Sequence, residues 1–195
     1  RTNNYKRYTF DGGLAPKFFK DHLSVNVNLK ASMEDNTRVD ESVVGNALAY
    51  DPTRPVHTGS ETSATDPGRG YFIWMNGNSP MAIQTDNPVA QLELQNLHNK
   101  LYRSIGNVAL NYKVHGFEDL RLHATLGLEV AKGTEDESQP TSYASTLYYG
   151  GITDNENFKR NELLSLYAQY YKDFSKNHHF DIMGGYEWTH VKYWG

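Results

Sequence analysis

The feature that most constrains this chain is a strict alternation of apolar and polar residues between positions 23 and 32. Every second residue from Leu23 to Ala31 is apolar, and the residues between them, from Ser24 to Ser32, are polar. A β-strand repeats every two residues, so this segment predicts a strand with one apolar and one polar face. The same alternation returns at 106–114, 120–131, 163–174 and 180–194. The chain is therefore predicted to be all-β.

The predicted strands fall into three antiparallel hairpins that are closed by short polar turns. They pair 5–14 with 23–34, 104–114 with 120–131, and 163–174 with 180–194. Links of this length are typical of neighbouring antiparallel strands. The other two connections, about 35–103 and 132–162, are much longer and are predicted to be extracellular loops. Short turns at one end and long loops at the other are typical of part of a large outer-membrane β-barrel, whereas a sandwich more often has modest loops at both ends.

The composition is compatible with a barrel and argues against several other classes. No run approaches the roughly 20 apolar residues of a membrane helix, and the hydrophobic content is 38%. Half of each barrel strand faces water, so a barrel does not need a high apolar average. The net charge is −4, with 19 basic and 23 acidic residues, which provides no basic surface for nucleic acid. The chain has no cysteine, which excludes thiolate nucleophiles and cysteine zinc sites.

Seven short motifs follow one another along nearly the whole chain. They are Asn4–Phe10, Leu23–Ser32, Ala47–Val56, Gly70–Trp74, Asn87–Ala90, Arg103–Tyr112 and Gly184–Tyr186. In this order and spacing the chain resembles the SusC/RagA-type TonB-dependent outer-membrane transporters. The resemblance implies that residues 1–195 are a fragment of the β-barrel domain of such a receptor, with both ends inside a longer protein.

The same resemblance implies a location and a function. The location is the outer membrane of a Gram-negative bacterium, and the function is TonB-dependent active import of oligosaccharides or peptides. The implied partners are a SusD-like surface lipoprotein, TonB through parts absent from this chain, the imported ligand and membrane lipid. The family's barrel lumen holds a plug, and no cofactor is implied.

No motif indicates an enzyme or a metal site. Four histidines, His22, His115, His178 and His179, occupy predicted turns, where polar residues are common, and no HExxH spacing occurs. The acidic run 135–137 lacks the spacing and the glycine of a calcium loop. The sequence contains no GxSxG elbow and no phosphate loop. We therefore expect no catalytic residues, no metal ligands and no cofactor.

The candidate ligand contacts are aromatic and polar residues in the two long loops. Tyr71, Phe72 and Trp74 form an aromatic run that could stack on a sugar or a peptide, or could equally form the packed core of the loop. Tyr148 and Tyr149 offer a similar surface in the second loop, and Arg54 adds a polar group to the first. The polar strand faces are expected to line the barrel lumen through Asn26, Asn28, Lys30, Asn107, Asn111, Arg121, His123, Glu129, Tyr167 and Gln169.

Two other functions fit parts of the pattern. A soluble or surface carbohydrate-binding β-sandwich would also alternate, with Trp74 and the tyrosines as its binding platform. A secreted β-rich hydrolase would need two carboxylates that converge in space, and no local feature selects such a pair. Aromatic girdles flank the apolar band of a membrane barrel. This chain shows a similar clustering of aromatic residues toward predicted strand ends, which favours the barrel. The residues are Tyr8, Tyr112, Tyr170, Phe174, Phe180, Tyr186 and Trp188.

Overall fold

Strands make up most of the chain, as the sequence predicts. The computed structural model describes residues 3–59, 68, 70–77, 79–81, 83–140, 150–175 and 178–195. In chain order the elements are β1 (Asn4–Leu14), β2 (Lys17–Phe18), β3 (Leu23–Arg38), α1 (Ser42–Ala49), β4 (Met75–Asn76), β5 (Ser79–Pro80), α2 (Pro88–Leu94), β6 (Asn96–Lys113), β7 (Leu120–Gln139), β8 (Gly151–Ser175) and β9 (His178–Trp194). Within these ranges no helix has the length and apolar content needed to cross a membrane.

The six long strands form one sheet in the order β1-β3-β6-β7-β8-β9, and β2 pairs with β3. Long strands that follow one another along the chain are therefore neighbours in space. β8 and β9 are antiparallel, in continuous register from Phe158 opposite Trp194 to Asp173 opposite His179. This order confirms the predicted antiparallel hairpins and is the connectivity of an up-and-down barrel wall.

The strands extend farther than the sequence alone indicates, so the predicted loop boundaries were wrong. β7 continues to Gln139 and β8 begins at Gly151, which makes most of the predicted loop 132–162 strand. β3 reaches Arg38 and β6 begins at Asn96, which limits the first long loop to 39–95. Residues such as 134–138 are polar on both faces, so no apolar alternation identifies them. Main-chain pairing with the neighbouring strands holds them extended instead.

The apolar face of each long strand is limited to about eleven positions. It runs from Leu23 to Met33 in β3, from Tyr102 to Tyr112 in β6, and from Leu120 to Val130 in β7. The next residue on the same face is polar, for example Lys132 in β7. A transmembrane β-strand needs about 9 to 11 residues, so each apolar run has the length of one bilayer crossing.

Among the described residues, no hydrophobic core covers these apolar faces. Ala90 is the one buried hydrophobic side chain, whereas Leu126, Ile182 and Tyr186 are 56%, 57% and 61% exposed. A β-sandwich would bury such residues between its two sheets. The uncovered apolar face instead suits a sheet whose apolar side contacts lipid.

The chain separates into two compact units. The first, here called the loop unit, comprises Arg1–Lys6, Glu34–Lys100 and Thr134–Glu156. The second, here called the sheet unit, comprises Arg7–Met33, Leu101–Gly133 and Asn157–Gly195. The loop unit contains both helices and the short β4–β5 hairpin, and the sheet unit contains the apolar runs.

Candidate functional site

In the loop unit, the aromatic run Tyr71–Trp74 has a defined backbone position. The Phe72 amide donates a hydrogen bond to the Val56 carbonyl oxygen at 3.0 Å. Tyr71 forms an antiparallel bridge with His57, and the centroids of their rings are 5.0 Å apart. These contacts attach the run to the extended segment that follows the Asp-Pro-Thr turn.

Asn87 connects this pair of segments to α2. Its Nδ2 donates to the carbonyl oxygens of Val56 and Phe72, at 2.8 and 3.2 Å. Its Oδ1 accepts from the backbone amides of Val89 and Ala90, at 3.1 and 3.2 Å, which is the geometry of a helix N-cap. Asn87 is only 5% exposed. One buried side chain therefore satisfies four main-chain groups from three parts of the loop.

Gln91 joins α2 to α1. Its Nε2 donates to Ser42 Oγ at 2.6 Å, and its Oε1 accepts from Asn46 Nδ2 at 3.0 Å. Gln91 is 4% exposed, and a buried amide with partners on another helix fixes how the two helices meet. The helices and the aromatic run thus form one hydrogen-bonded substructure.

Arg54 lies against two rings of the aromatic run. Its guanidinium carbon is 5.1 Å from the Trp74 ring centroid and 5.8 Å from that of Phe72. The two rings are 5.3 Å apart and nearly perpendicular, at 82°. A cation within about 6 Å of a ring face is attracted to it. We call Arg54, Phe72 and Trp74 the loop aromatic cluster. It presents a half-exposed guanidinium beside flat apolar surfaces.

Asp51 positions Arg54 from the preceding turn. Its carboxylate accepts from the amide and the hydroxyl of Thr53, at 2.9 and 2.7 Å, and lies 4.0 Å from Arg54 Nε. The Arg54 amide donates to the Asp51 carbonyl oxygen at 3.0 Å. The hydrogen bonds from Thr53 lower the pKa of Asp51 below its ordinary 3.8, and Arg54 adds a smaller contribution. The carboxylate is therefore charged at neutral pH.

The structure places the predicted ligand residues in three different ways. Arg54, Phe72 and Trp74 come together in the loop aromatic cluster. Tyr71 is adjacent, but its hydroxyl donates to the carboxylate of Glu93. The run 71–74 is half-buried, which leaves it part of the loop's packing and partly accessible. The remaining two predicted residues, Tyr148 and Tyr149, lie outside the described residues.

On the polar face of the sheet unit, Glu129 is the centre of an ionic network. Its carboxylate is 2.6 Å from Arg103 Nη2, accepts from Asn161 Nδ2 at 2.6 Å, and lies 3.4 Å from Lys159 Nζ. The Glu129 side chain is 15% exposed. Sequence reasoning selected Glu129 but missed its three partners. Each partner lies on the polar face of its own strand, so strict counting of alternate positions in β6 and β8 would have placed them on that face, although not beside Glu129.

A second set of polar contacts on the same face involves four residues predicted to line the lumen. His123 is hydrogen-bonded through Nδ1 to Asn111 Oδ1, and its ring stacks on Tyr167 with centroids 4.3 Å apart. Arg121 lies over the Tyr171 ring at 5.6 Å. Polar side chains of β6, β7 and β8 therefore meet on one side of the sheet.

Two of the four histidines predicted in turns, His22 and His115, form a ring contact. His22 and His115 stack with centroids 3.9 Å apart, and Glu118 lies 3.6 Å from His22 Nε2. In the part of the chain that the structure describes, no group of three or more His, Asp or Glu side chains is arranged to hold a metal ion. The stacked pair instead links the turn before β3 to the turn between β6 and β7.

A curated relative identifies the family of this sheet. The chain is 37% identical over 204 aligned residues to the TonB-dependent receptor SusC of Bacteroides thetaiotaomicron. The chain belongs to the SusC/RagA-type TonB-dependent receptors. The alignment covers 97% of this chain and 20% of SusC, so the chain spans about a fifth of that relative's length.

Solved structures show the same fold for this receptor chain. The RagAB peptide importer in its open-open state matches with a TM-score of 0.65 at 13% identity, over 98% of this chain and 20% of the importer chain. In the closed-closed state the TM-score is 0.64 at 17% identity, over 97% of this chain and 20% of the other. At these identities the match establishes the fold alone. No protein-family model matches the chain.

Membership in this receptor family explains why the sheet has two faces. The sheet is a section of an outer-membrane β-barrel in a Gram-negative bacterium, as the sequence predicts. The face with the apolar run from Leu120 to Val130 is the side toward lipid, and the face with Glu129 and His123 is the side toward the lumen. The sandwich alternative is not favoured.

Proposed function

We propose that the receptor to which this chain belongs imports oligosaccharide or peptide nutrients across the outer membrane in a TonB-dependent way. The observation that carries the proposal is the 37% identity to SusC across 97% of the chain. The shared fold with the RagAB peptide importer supports it. In this proposal the chain supplies a section of the barrel wall and its loops. Ligand capture and passage make or break no covalent bond, so the proposed role is not enzymatic and needs no cofactor.

The proposed partner at the cell surface is a SusD-like lipoprotein that contacts the long loop 39–95. Short turns close one end of the predicted hairpins, so the long loop belongs to the extracellular end of a barrel. Asn87 and Gln91 give this loop an internal hydrogen-bonded structure. A preformed loop pays less ordering entropy when a partner docks on it. TonB would act through parts of the receptor that this chain does not contain.

The proposed ligand contacts are the loop aromatic cluster together with Tyr71, Tyr148 and Tyr149. A sugar ring or an apolar peptide side chain can stack on Trp74 or Phe72, since both offer a flat apolar face. Arg54 can donate several hydrogen bonds to hydroxyl or carbonyl oxygens from one planar group. The position of Arg54 over the two rings supports this assignment.

The test is deletion of the gene for the complete receptor in its native host. Uptake of labelled oligosaccharides and of labelled peptides is then measured in energised cells, with and without dissipation of the proton-motive force. We expect uptake of one ligand class to be lost in the deletion strain, restored by the full gene, and absent without the proton-motive force. Unchanged uptake of both classes in the deletion strain would overturn the proposal.

A further inference from the structure

Along β8 and β9, the apolar face of the sheet unit gives way to a charged band. Leu164 opposite Trp188 is the last apolar pair; Glu162 then faces His190, and Arg160 faces Lys192. Beyond them, Phe158 and Trp194 are directly opposite and stack with centroids 5.4 Å apart. The charged band therefore lies between the Leu164–Trp188 pair and the Phe158–Trp194 pair on the face toward lipid.

Arg160 and Lys192 are like charges directly opposite each other on adjacent antiparallel strands. Residues in this relation have Cβ atoms about 4.5 to 5.5 Å apart, and like charges there are destabilising. Arg160 contacts the Glu162 carboxylate, and the Lys192 ammonium lies 5.4 Å from the Trp194 ring centroid. The Arg160 side chain is 53% exposed, so its guanidinium is accessible from outside the sheet. An anion that contacts both cations would relieve their repulsion.

A groove of about 630 Å³ lies beside this band, on the same face of the sheet unit. Small side chains on two neighbouring strands, Ala31 in β3 and Ser104 in β6, line the groove. Bulky rings from other strands border it, including Phe10 and Trp194. A third cation, Lys132, is at its edge, with Nζ 5.2 Å from the Phe158 ring centroid. The groove is mainly apolar and has the volume of a small-ligand site.

Apolar surface beside cations, at the end of a bilayer-length apolar run, has the chemistry that recognises an anionic amphiphile. We propose that this face binds a phosphorylated glycolipid of the outer leaflet, with its acyl chains along the groove and its phosphate near Arg160, Lys192 and Lys132. The two cations of the band, Arg160 and Lys192, outnumber its one carboxylate, Glu162. Arginine and lysine bind phosphate through charge-assisted hydrogen bonds, and basic pockets beside apolar membrane surfaces bind lipid headgroups. The band lies on the long-loop side of the apolar runs, which is the outer-leaflet side in a barrel of this orientation.

The test uses the complete receptor purified in a neutral detergent and a fluorescent bis-phosphorylated lipid A as the probe. Arg160→Gln/Lys192→Gln removes two cations from the band. The matched control, Lys17→Gln/Lys30→Gln, removes two cations from elsewhere in the sheet unit, where each pairs with an aspartate. We expect the first variant to bind the probe about tenfold more weakly and the control to bind it normally. A charge-keeping variant, Arg160→Lys/Lys192→Arg, should retain most of the affinity.

Two further experiments, competition by other ligands and titration with salt, use the unmodified receptor, so they do not require that a variant folds. The competition experiment identifies the source of the phosphate. Dephosphorylated lipid A should compete poorly, and binding of the phosphorylated probe to the unmodified receptor should weaken as salt is raised. Equal competition by the dephosphorylated lipid, or binding that does not change with salt, would overturn the proposal. So would displacement of the probe by inorganic phosphate at equal concentration, since that would indicate a simple anion site. Equal binding by the cation variant and the control would also overturn it.

Discussion

The side-chain amide of Asn87 lies 2.8 Å from the carbonyl oxygen of Val56, although 31 residues separate them in the chain. The same amide reaches Phe72, while the side-chain oxygen caps α2. A loop of this length would ordinarily lose much of its structure to conformational entropy. The buried amide offsets part of that loss, because it closes two subsidiary loops and starts a helix at one point.

We expect Asn87→Asp to open the long loop locally. The substitution keeps an acceptor for the α2 N-cap, but it points a second oxygen at the carbonyl oxygens of Val56 and Phe72. A buried acceptor without a donor should destabilise the loop by about 2 to 4 kcal/mol. Limited proteolysis of the complete receptor measures this, and the variant should be cut faster within 39–95.

Asn87→Ser serves as the comparison for that experiment. Serine also caps helices well and places no charge against the two carbonyl oxygens, so its protease sensitivity should be intermediate. If Asn87→Asp were as resistant as the natural receptor, the amide contacts would not be what holds the loop together.

We expect Trp74→Ala to raise the KM of ligand uptake about three- to tenfold, with little change in the amount of receptor in the membrane. The substitution removes both a stacking surface and the ring beneath Arg54, and such contacts are worth about 0.5 to 2 kcal/mol. Ile83→Ala is the matched control, because Ile83 is in the same loop and is 92% exposed. Equal KM values for the two variants would show that the loop aromatic cluster does not contact ligand.

Gly185 and Gly184 are adjacent, but only Gly185 should be sensitive to substitution by alanine. A Cβ at Gly185 would lie 2.5 Å from the Tyr167 Cβ and 2.6 Å from the Leu166 carbonyl oxygen, whereas a Cβ at Gly184 would meet nothing within 4 Å. Overpacking of this kind costs about 1 to 3 kcal/mol. Gly185→Ala should therefore lower the temperature at which the receptor unfolds, and Gly184→Ala should leave this temperature unchanged. Unfolding is followed as the change from the mobility of the folded receptor on a denaturing gel. Identical temperatures would mean that the β8–β9 pair adjusts to the extra methyl group.

The sequence was sufficient to predict the parts of this fold that depend on local pattern. The alternation from Leu23 to Ser32 identifies β3, and similar patterns identify the apolar parts of β6 to β9. Hairpin pairing follows because the turns between these strands are short. The period of two also predicts which residues share the apolar face and which share the polar face of each strand.

Contacts that depend on register or on distant chain segments could not be predicted in the same way. Residues 134–138 are polar on both faces, so nothing local shows that β7 continues through them. Asn87 before Pro88 is a recognisable helix start, but its bonds to Val56 and Phe72 depend on how the loop folds back. Glu129 was selected without Arg103, because the pairing of β6 with β7 determines which side chains are opposite.

The two faces of β7 provide the sharpest test of the barrel assignment at the level of single residues. Leu126 lies near the middle of the apolar run from Leu120 to Val130 and is 56% exposed, whereas Thr125 points to the opposite face. Arginine on the lipid side of a barrel costs about 2 to 4 kcal/mol at the bilayer midplane, because a charge is then placed in hydrocarbon. Leu126→Arg should therefore destabilise the receptor by that amount, as measured by denaturant unfolding in lipid vesicles.

Thr125→Arg places the same side chain one residue away on the lumen side, where water and polar groups solvate it. We expect this variant to lose less than about 1 kcal/mol, since polar substitutions on the lumen face do not meet hydrocarbon. Both positions are in the same strand, so the intrinsic strand preference of arginine contributes equally to the two variants. The difference between their stabilities therefore reports the environment of each face. Equal losses would mean that both faces of β7 meet the same surroundings, which a barrel wall does not allow.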